Sequence, residues 1–468
     1  MITVNLRSQN YHAMHGSSYA GSLGVSNNPS SIMNTWSPWD LTILSFQATF
    51  STNAITIVDY SLLSSPADSK YRINKGEFER YAKENFNLHL LNARIALNRK
   101  SSMAFGMNIR GYTDIKSSKY NFADTLKAFR NFLKINEKNT DFKAKIESSN
   151  WLEIFATYSR TLFENETGRL NGGITVKGTR GLAGIFAGLK QVAFTRGSVD
   201  NKPFYSAKSG KLEYGYSATM DKWKKGNSSR QNLNDLVLSS QGGGSIDLGV
   251  EYLVKSQSVT NYNDEDNYYD YEWKIGVSLL DLGTTNYRYG SQSRSAEGLV
   301  VDISDTTIQR KFNKVKSVQE INDSLGTIFT NMQPLTGKFS VINPARLIIN
   351  IDRYLLGDFY INGEVSANLA SLAGADKLYS SEISMLTVTP RWETRRYGAY
   401  LPIQLNNEKQ FWIGAAIKAG PMLLGVHNLA NIFSTKKMQN GGGYLAFVVR
   451  PGGFTKAHRD KKFDCPKY

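Results

Sequence analysis

Residues 346–369 read RLIINIDRYLLGDFYINGEVSANL. In the second half, Phe359, Ile361, Gly363, Val365, Ala367 and Leu369 alternate with Tyr360, Asn362, Glu364, Ser366 and Asn368. A period of two sends these two sets to opposite faces of a strand, one apolar and one polar. Strands of soluble domains usually run about five or six residues. A strand that crosses a bilayer needs about nine to eleven, apolar toward lipid and polar toward a lumen. Upstream, Leu347, Ile349 and Ile351 oppose Arg346, Asn350 and Asp352, with Ile348 on the polar side. Residues 353–358 carry Gly357, which suits a tight reversal. The stretch reads as one hairpin of a membrane barrel.

Composition agrees with this reading. Of 468 residues, 41% are hydrophobic and 21% charged, a soluble-looking balance that a barrel shares because only alternate residues touch lipid. The 25 Tyr and 23 Phe favour strands and membrane interfaces. No run approaches the about 18 apolar residues of a transmembrane helix, so a membrane-spanning form must be a closed barrel with every backbone group paired. Met1–Tyr11 lacks the apolar centre of a signal peptide, which an outer-membrane protein needs, so a processed chain is expected. The lone cysteine, Cys465, excludes an internal disulfide and a Cys-rich metal site. The net charge of +16 reads as a basic surface for acidic partners, or as dispersed loop lysines with a short basic tail.

The same alternation recurs on both sides of the opening stretch. Residues 41–50 and 54–62 form a candidate first hairpin, and 71–85 is charged and helix-compatible. Two good strands follow at 89–98 and 103–110, joined by the short link 99–102, before a long loop over 116–150 with apolar residues at helical spacing. Residues 151–162, 170–177, 211–218, 246–254 and 271–280 alternate again. Residues 178–189 (GTRGLAGIFAGL) read either as a small-residue helix contact or as a glycine-rich turn. Between 288 and 337, Val318, Ile321, Leu325 and Ile328 suggest an amphipathic helix. Strands are expected at 383–394, 397–405, 411–419, 421–427 and 443–450. Short turns on one side and long loops on the other fit a transmembrane antiparallel β-barrel, all-β with some helical loops. Fourteen strands is the first expectation and sixteen the next.

Chemistry is sparse. His12, His15, His89, His427 and His458 make no HExxH pattern and have no Cys partners. His12 and His15 read as a metal-binding pair or a solvated one. No nucleophile elbow pairs a serine with His427. Residues 261–272 (NYNDEDNYYDYE) read as calcium ligands or as an acidic loop tip, without the EF-hand order or its central Gly. The expectation is therefore no enzyme, no cofactor and no metal. Lys456, Arg459, Lys461 and Lys462 make a basic tail that would meet anionic headgroups or a partner protein. No aromatic platform accompanies that charge, so no nucleic-acid partner is expected.

HGSSYAGSLGVSNNPSSI (residues 15–32), then Trp36-Ser37-Pro38-Trp39-Asp40, resembles the start of mature Bacteroidota outer-membrane barrels. Residues 427–451, Asp464-Cys465-Pro466 and the glycine-rich 173–189 are similar to the same uncharacterised family, which is related to the FadL-like (long-chain fatty-acid transporter) superfamily. That superfamily also includes a type IX secretion shuttle barrel. The resemblance implies fourteen strands and an N-terminal hatch bearing an Asn-Pro-Ala-like element. Asn28, Pro29 and Ser30 stand there, with Ser30 replacing alanine. Many such barrels end on a strand-terminal aromatic, whereas this chain continues for a further 18 residues past Arg450.

Three regions are thus expected: a hatch over 1–39 with Tyr19, Asn27, Asn28, Pro29 and Ser30, a barrel over 40–450, and a periplasmic basic tail over 451–468. Two functions remain open. One is a non-enzymatic accessory subunit of an envelope complex, such as type IX secretion or gliding machinery. The other is a FadL-like transporter of hydrophobic small molecules. A lumen filled by charged pairs, with Arg94, Arg110, Glu251 and Glu364 as inward candidates, would suit the first; an apolar pocket beside the hatch would suit the second. Outer-membrane lipids are partners in both. Lipid contact is expected at Phe359, Ile361, Val365, Ala367, Tyr397, Leu401 and Ile403, and a charge at Ser366 should be tolerated.

Overall fold

In a computed structural model of the chain, fourteen antiparallel strands close a barrel. The structure describes residues 12–59, 61, 69–124, 128–138, 141–199, 202–224, 226–255, 270–300, 303–374, 376–433 and 437–451. The barrel strands are β1 (Trp39–Thr52), β2 (Tyr81–Asn98), β3 (Ser101–Ser117), β4 (Phe142–Glu164), β5 (Gly168–Val199), β6 (Gln241–Val254) and β7 (Trp273–Arg288). After them come β8 (Arg346–Leu356), β9 (Phe359–Asn368), β10 (Met385–Glu393) and β11 (Tyr397–Tyr400 continued by Ile403–Asn406). The last are β12 (Phe411–Ile413 continued by Ala415–Ala419), β13 (Met422–Val426) and β14 (Asn440–Val449). Strand β14 pairs with β1 from Leu41↔Val449 to Ser51↔Asn440, which closes the sheet and leaves no edge.

Alternation sets the two faces. On β8 and β9, Ile349, Ile351, Phe359 and Ile361 are exposed, while Asn350, Asp352, Asn362 and Glu364 are buried inside. The opening stretch is the hairpin expected, with Arg346 opposite Asn368 and Gly357 at φ +57° in the turn. Ile348 is buried on the lumen side. Tyr397 and Leu401 are exposed outward; Val365 and Ile403 are partly covered. Ala367 corrects the lipid-face expectation, being only 5% exposed. It lies where the Leu369 and Ala370 N–H groups turn back onto the Ala345 carbonyl and the chain leaves the sheet. Ser366 also departs from expectation: it is fully buried, so a charge there would be desolvated rather than bathed in lumen water. A closed barrel with an apolar outer belt and a polar interior is an integral outer-membrane protein.

Short turns at 99–100, 165–167, 357–358, 394–396 and 420–421 mark the periplasmic rim, where β1 begins and β14 ends. The connection 255–272 leaves from this same rim. Residues 261–269 of the acidic stretch fall outside the described residues, as do Lys456, Arg459, Lys461 and Lys462.

Three expected elements are corrected. Residues 55–58 do not return beside β1; they pair with Lys70–Ile73 in a loop ribbon, and β1 takes β2 as its neighbour. Residues 71–85 are extended, not helical, because β2 already starts at Tyr81. The glycine-rich 178–189 is neither helix contact nor turn but the middle of β5, one strand of 32 residues. Its outer half leaves β6 and pairs with Lys202–Tyr216, which carries a lobe above the barrel.

That lobe includes α1 (Phe129–Ile135), α2 (Ser229–Leu238), α3 (Asp305–Phe312) and α4 (Val318–Gly326), with Ala296, Ile303, Leu325, Ile328 and Phe329 as its core. Arg130 on α1 grips the buried Asp305 of α3 with two hydrogen bonds, 2.6 and 3.0 Å. Burial pushes the Asp305 carboxyl up, but the Arg130 hydrogen bond and the Thr306 N–H outweigh it and hold the group below its ordinary value. A depressed folded pKa adds stability above the unfolded value, which is lost as pH falls through the folded one. Arg130→Ala should therefore speed hydrogen exchange in α1 and α3 at neutral pH and make little difference in strong acid; an equal effect at both would discount the ion pair.

Candidate functional site

The lumen is occupied from both ends. From the periplasmic rim, residues 12–38 run inside the wall, with three short 3-10 turns at His12–Met14, Gly21–Ser26 and Pro29–Met33. Small residues let this backbone approach the sheet. A Cβ added at Gly173 of β5 would lie 2.6 Å from the Pro29 carbonyl carbon and the Ser30 nitrogen. Gly249 of β6, its register partner, would clash with the Asn28 side chain. The Asn28-Pro29-Ser30 element sits on this glycine pair.

Each singled-out residue of the segment has identifiable contacts. The Asn28 amide donates to the Val250 carbonyl at 3.0 Å, and its oxygen accepts from the Ser30 N–H and hydroxyl. Ser159 donates to the Pro29 carbonyl at 2.6 Å. Asn27 donates to Glu364 at 2.9 Å, and the Asn27 carbonyl accepts from Ser278 at 2.6 Å. Tyr19 stacks on Trp36, with the Lys418 ammonium 4.0 Å from its ring centre, and its carbonyl accepts from Arg450. His15 lies 2.7 Å from Glu364. Arg94 reaches the Ile32 and Ser37 carbonyls at 2.7 and 2.6 Å. These bonds satisfy backbone groups that no strand pairing of the segment satisfies.

Above the segment lies a charged layer. Arg110 of β3 holds Asp281 of β7 in a fork at 2.7 and 2.9 Å and touches Glu153 at 3.2 Å. Lys177 of β5 contacts Asp281 at 2.6 Å and Asp247 at 2.7 Å. Asp281 has φ +59° at a register shift between β6 and β7, a backbone state that Asp and Asn tolerate better than most residues. A second ionic group stands nearer the periplasm: Arg391 clasps Asp352 at 2.5 and 2.8 Å, and Glu393 accepts from Ser17, Tyr400 and Lys418. Arg94, Arg110, Glu251 and Glu364, the four inward candidates, are all buried.

From outside, residues 376–384 fold inward beside the wall. Ser381 donates to Asp114 at 2.7 Å, and Glu382 accepts from Tyr112 at 2.5 Å and from Arg346. The strand expected over 383–394 starts at Met385, and the residues before it are a polar insertion. Arg346 is the meeting point. One guanidinium nitrogen serves Glu382 of the outer loop, and the other donates to the Ser26 carbonyl of the N-terminal segment at 3.0 Å. A pocket at this junction has about 20 Å³ and is lined in part by His89, Asn108, Arg110, Glu153, Lys177 and Asp247. It is sized for about one water.

Of this ionic layer only Arg110 is among the inward candidates; its companions Glu153, Lys177, Asp247 and Asp281 lie far apart in the chain and carry no shared motif. One signal was present: Asp281 interrupts the apolar run LLDLG of a lipid-crossing strand. His427 is buried with its ring 5.1 Å from Tyr444. Among the described residues, no group of three or more His, Cys, Asp or Glu is placed to hold a metal ion.

Fold and interior together define an outer-membrane β-barrel with a filled lumen. The chain belongs to a family of unknown function, DUF5723, whose model matches residues 37–427. No curated protein matches it. A Pseudomonas aeruginosa FadL homologue is similar at 8% identity and TM-score 0.42, over 96% of this chain and 98% of that one. The P. putida toluene transporter TodX is similar at 8% and 0.37, over 92% and 93%. The translocator domain of autotransporter NalP from Neisseria meningitidis gives 8% and 0.32, over 88% of each chain.

Proposed function

We propose that this chain is a non-enzymatic transport barrel, held shut by its N-terminal segment acting as a hatch. The observation that carries the reading is how the segment is attached. Residues 12–38 join the wall through side chains and isolated carbonyls, and they add no strand to the sheet. Such a segment can leave without opening the barrel. The ligand class to test is hydrophobic small molecules, and the polar junction at Arg346 must part before one can pass. Deleting Met1–Asn34 from the folded protein should raise planar-bilayer conductance above that of the intact barrel. It should also admit a hydrophobic dye into proteoliposomes. An unchanged conductance, with residues 376–384 also removed, would refute the hatch.

The ionic filling of the lumen and the helical lobe favour a second reading. The barrel would then be an accessory subunit of an envelope complex, of type IX secretion or gliding kind, with its basic tail docking a periplasmic partner. Recovery of a stoichiometric partner from native membranes in mild detergent, lost on neutralising Lys456, Arg459, Lys461 and Lys462, would select this reading.

A further inference from the structure

A groove of about 580 Å³ opens at the periplasmic rim, lined by Asn98, Arg99, Lys100, Ser101, Tyr158 and Arg160. Three of these six are cations and none is acidic. The groove exists because neighbouring hairpins have different lengths. The β2–β3 turn is only Arg99–Lys100, braced by the Lys100 N–H on Asn98 at 2.8 Å. Strand β4 continues past it: Thr161 N–H bonds the Lys100 carbonyl at 3.0 Å, and the strand runs on to Glu164.

Arg160 stands opposite Ser101, on the outward set of β4 with Ile154, Tyr158 and Leu162. Leu162 and Phe163, nearer the periplasm, are 62% and 53% exposed, and Leu97 on β2 is 52% exposed. Arg160 therefore projects from inside the apolar belt rather than beyond its edge. A cation there is disfavoured in hydrocarbon, less so toward the interface, and best placed when it meets a headgroup. Tyr158, two residues deeper on the same outward face, walls the groove on its membrane side.

We propose that Arg99, Lys100 and Arg160 form a binding site for the phosphate of an anionic phospholipid in the periplasmic leaflet. The lipid's acyl chains lie along the apolar outer face of β4, and the guanidinium of Arg160 takes the phosphate oxygens as a fork. The chemistry is that of a phosphodiester, and the apolar flanks commit the site to a lipid rather than a free anion.

The test uses the full chain, reconstituted into phosphatidylethanolamine vesicles doped with phosphatidylglycerol, extracted in mild detergent and read by native mass spectrometry. Wild type should retain phosphatidylglycerol in preference to phosphatidylethanolamine. Retention should fall about fivefold for each of Arg99→Gln, Lys100→Gln and Arg160→Gln. Arg160→Lys, which keeps the charge but loses the fork, should fall between wild type and Arg160→Gln, and Lys143→Gln at the opposite rim should keep all of it. Barrel folding is checked by heat-dependent gel mobility, and Arg160→Lys covers the case in which a Gln variant misfolds. Equal retention by wild type and the triple Gln variant would overturn the site. Displacement of the lipid by excess inorganic phosphate would overturn its commitment to lipid.

Discussion

Asp281→Asn should cost the folded barrel about 3–5 kcal/mol, the loss seen when one partner of a buried ion pair is removed. The substitution keeps shape, and Asn accepts the positive φ, so backbone strain does not account for the loss. What remains is a buried Arg110 and a buried Lys177 that have lost the carboxylate they share. Glu153 and Asp247 lie close enough to offset part of that charge, which places the lower end of the range within reach. The measurement is a urea unfolding titration in lipid, followed by tryptophan fluorescence. A midpoint equal to wild type would mean that water already screens this layer.

Val365→Arg should destabilise by about 2–4 kcal/mol, the penalty for a cation on the lipid face near the bilayer midplane. Val365 pairs with Ile349 on one side and Leu386 on the other, within two residues of the centre of β9. The useful contrast is Tyr397→Arg at the periplasmic rim, where the cost should fall to about 0–1 kcal/mol. Equal costs at the two depths would contradict the placement of the membrane belt. Ser366 is no neutral control, since it is sealed against the interior.

The fold was legible where one strand carried its own evidence. Phe359–Leu369 and Ile246–Val254 declare their faces by local alternation, because lipid and lumen impose opposite chemistry on consecutive residues. Pairing was less legible. Ser51–Asn53 looks like a hairpin turn, yet β1 finds its neighbour at Tyr81–Asn98, across a loop whose length leaves no local mark. Strand β5 was cut in two by its glycines, since Gly178 and Gly188 have no side chain to reveal a face. The Asn28-Pro29-Ser30 element of the N-terminal segment was visible in the sequence. Its wall was not, because Gly173 and Gly249 matter only once sheet register brings them together. Arg110, Lys177 and Asp281 are ordinary charged residues until three strands set them within a hydrogen bond of one another.

The 32 residues of β5 have one more consequence. At about 3.3 Å each, their contour is on the order of 100 Å, while a tilted strand crosses the membrane with about 9–11 residues. Roughly two thirds of β5, with β4 beside it, therefore stands clear of the hydrocarbon. The ribbon works as a mast. It lifts the helical lobe away from the membrane surface, so a molecule arriving from outside touches α1, α3 and α4 well before it reaches the mouth of the barrel.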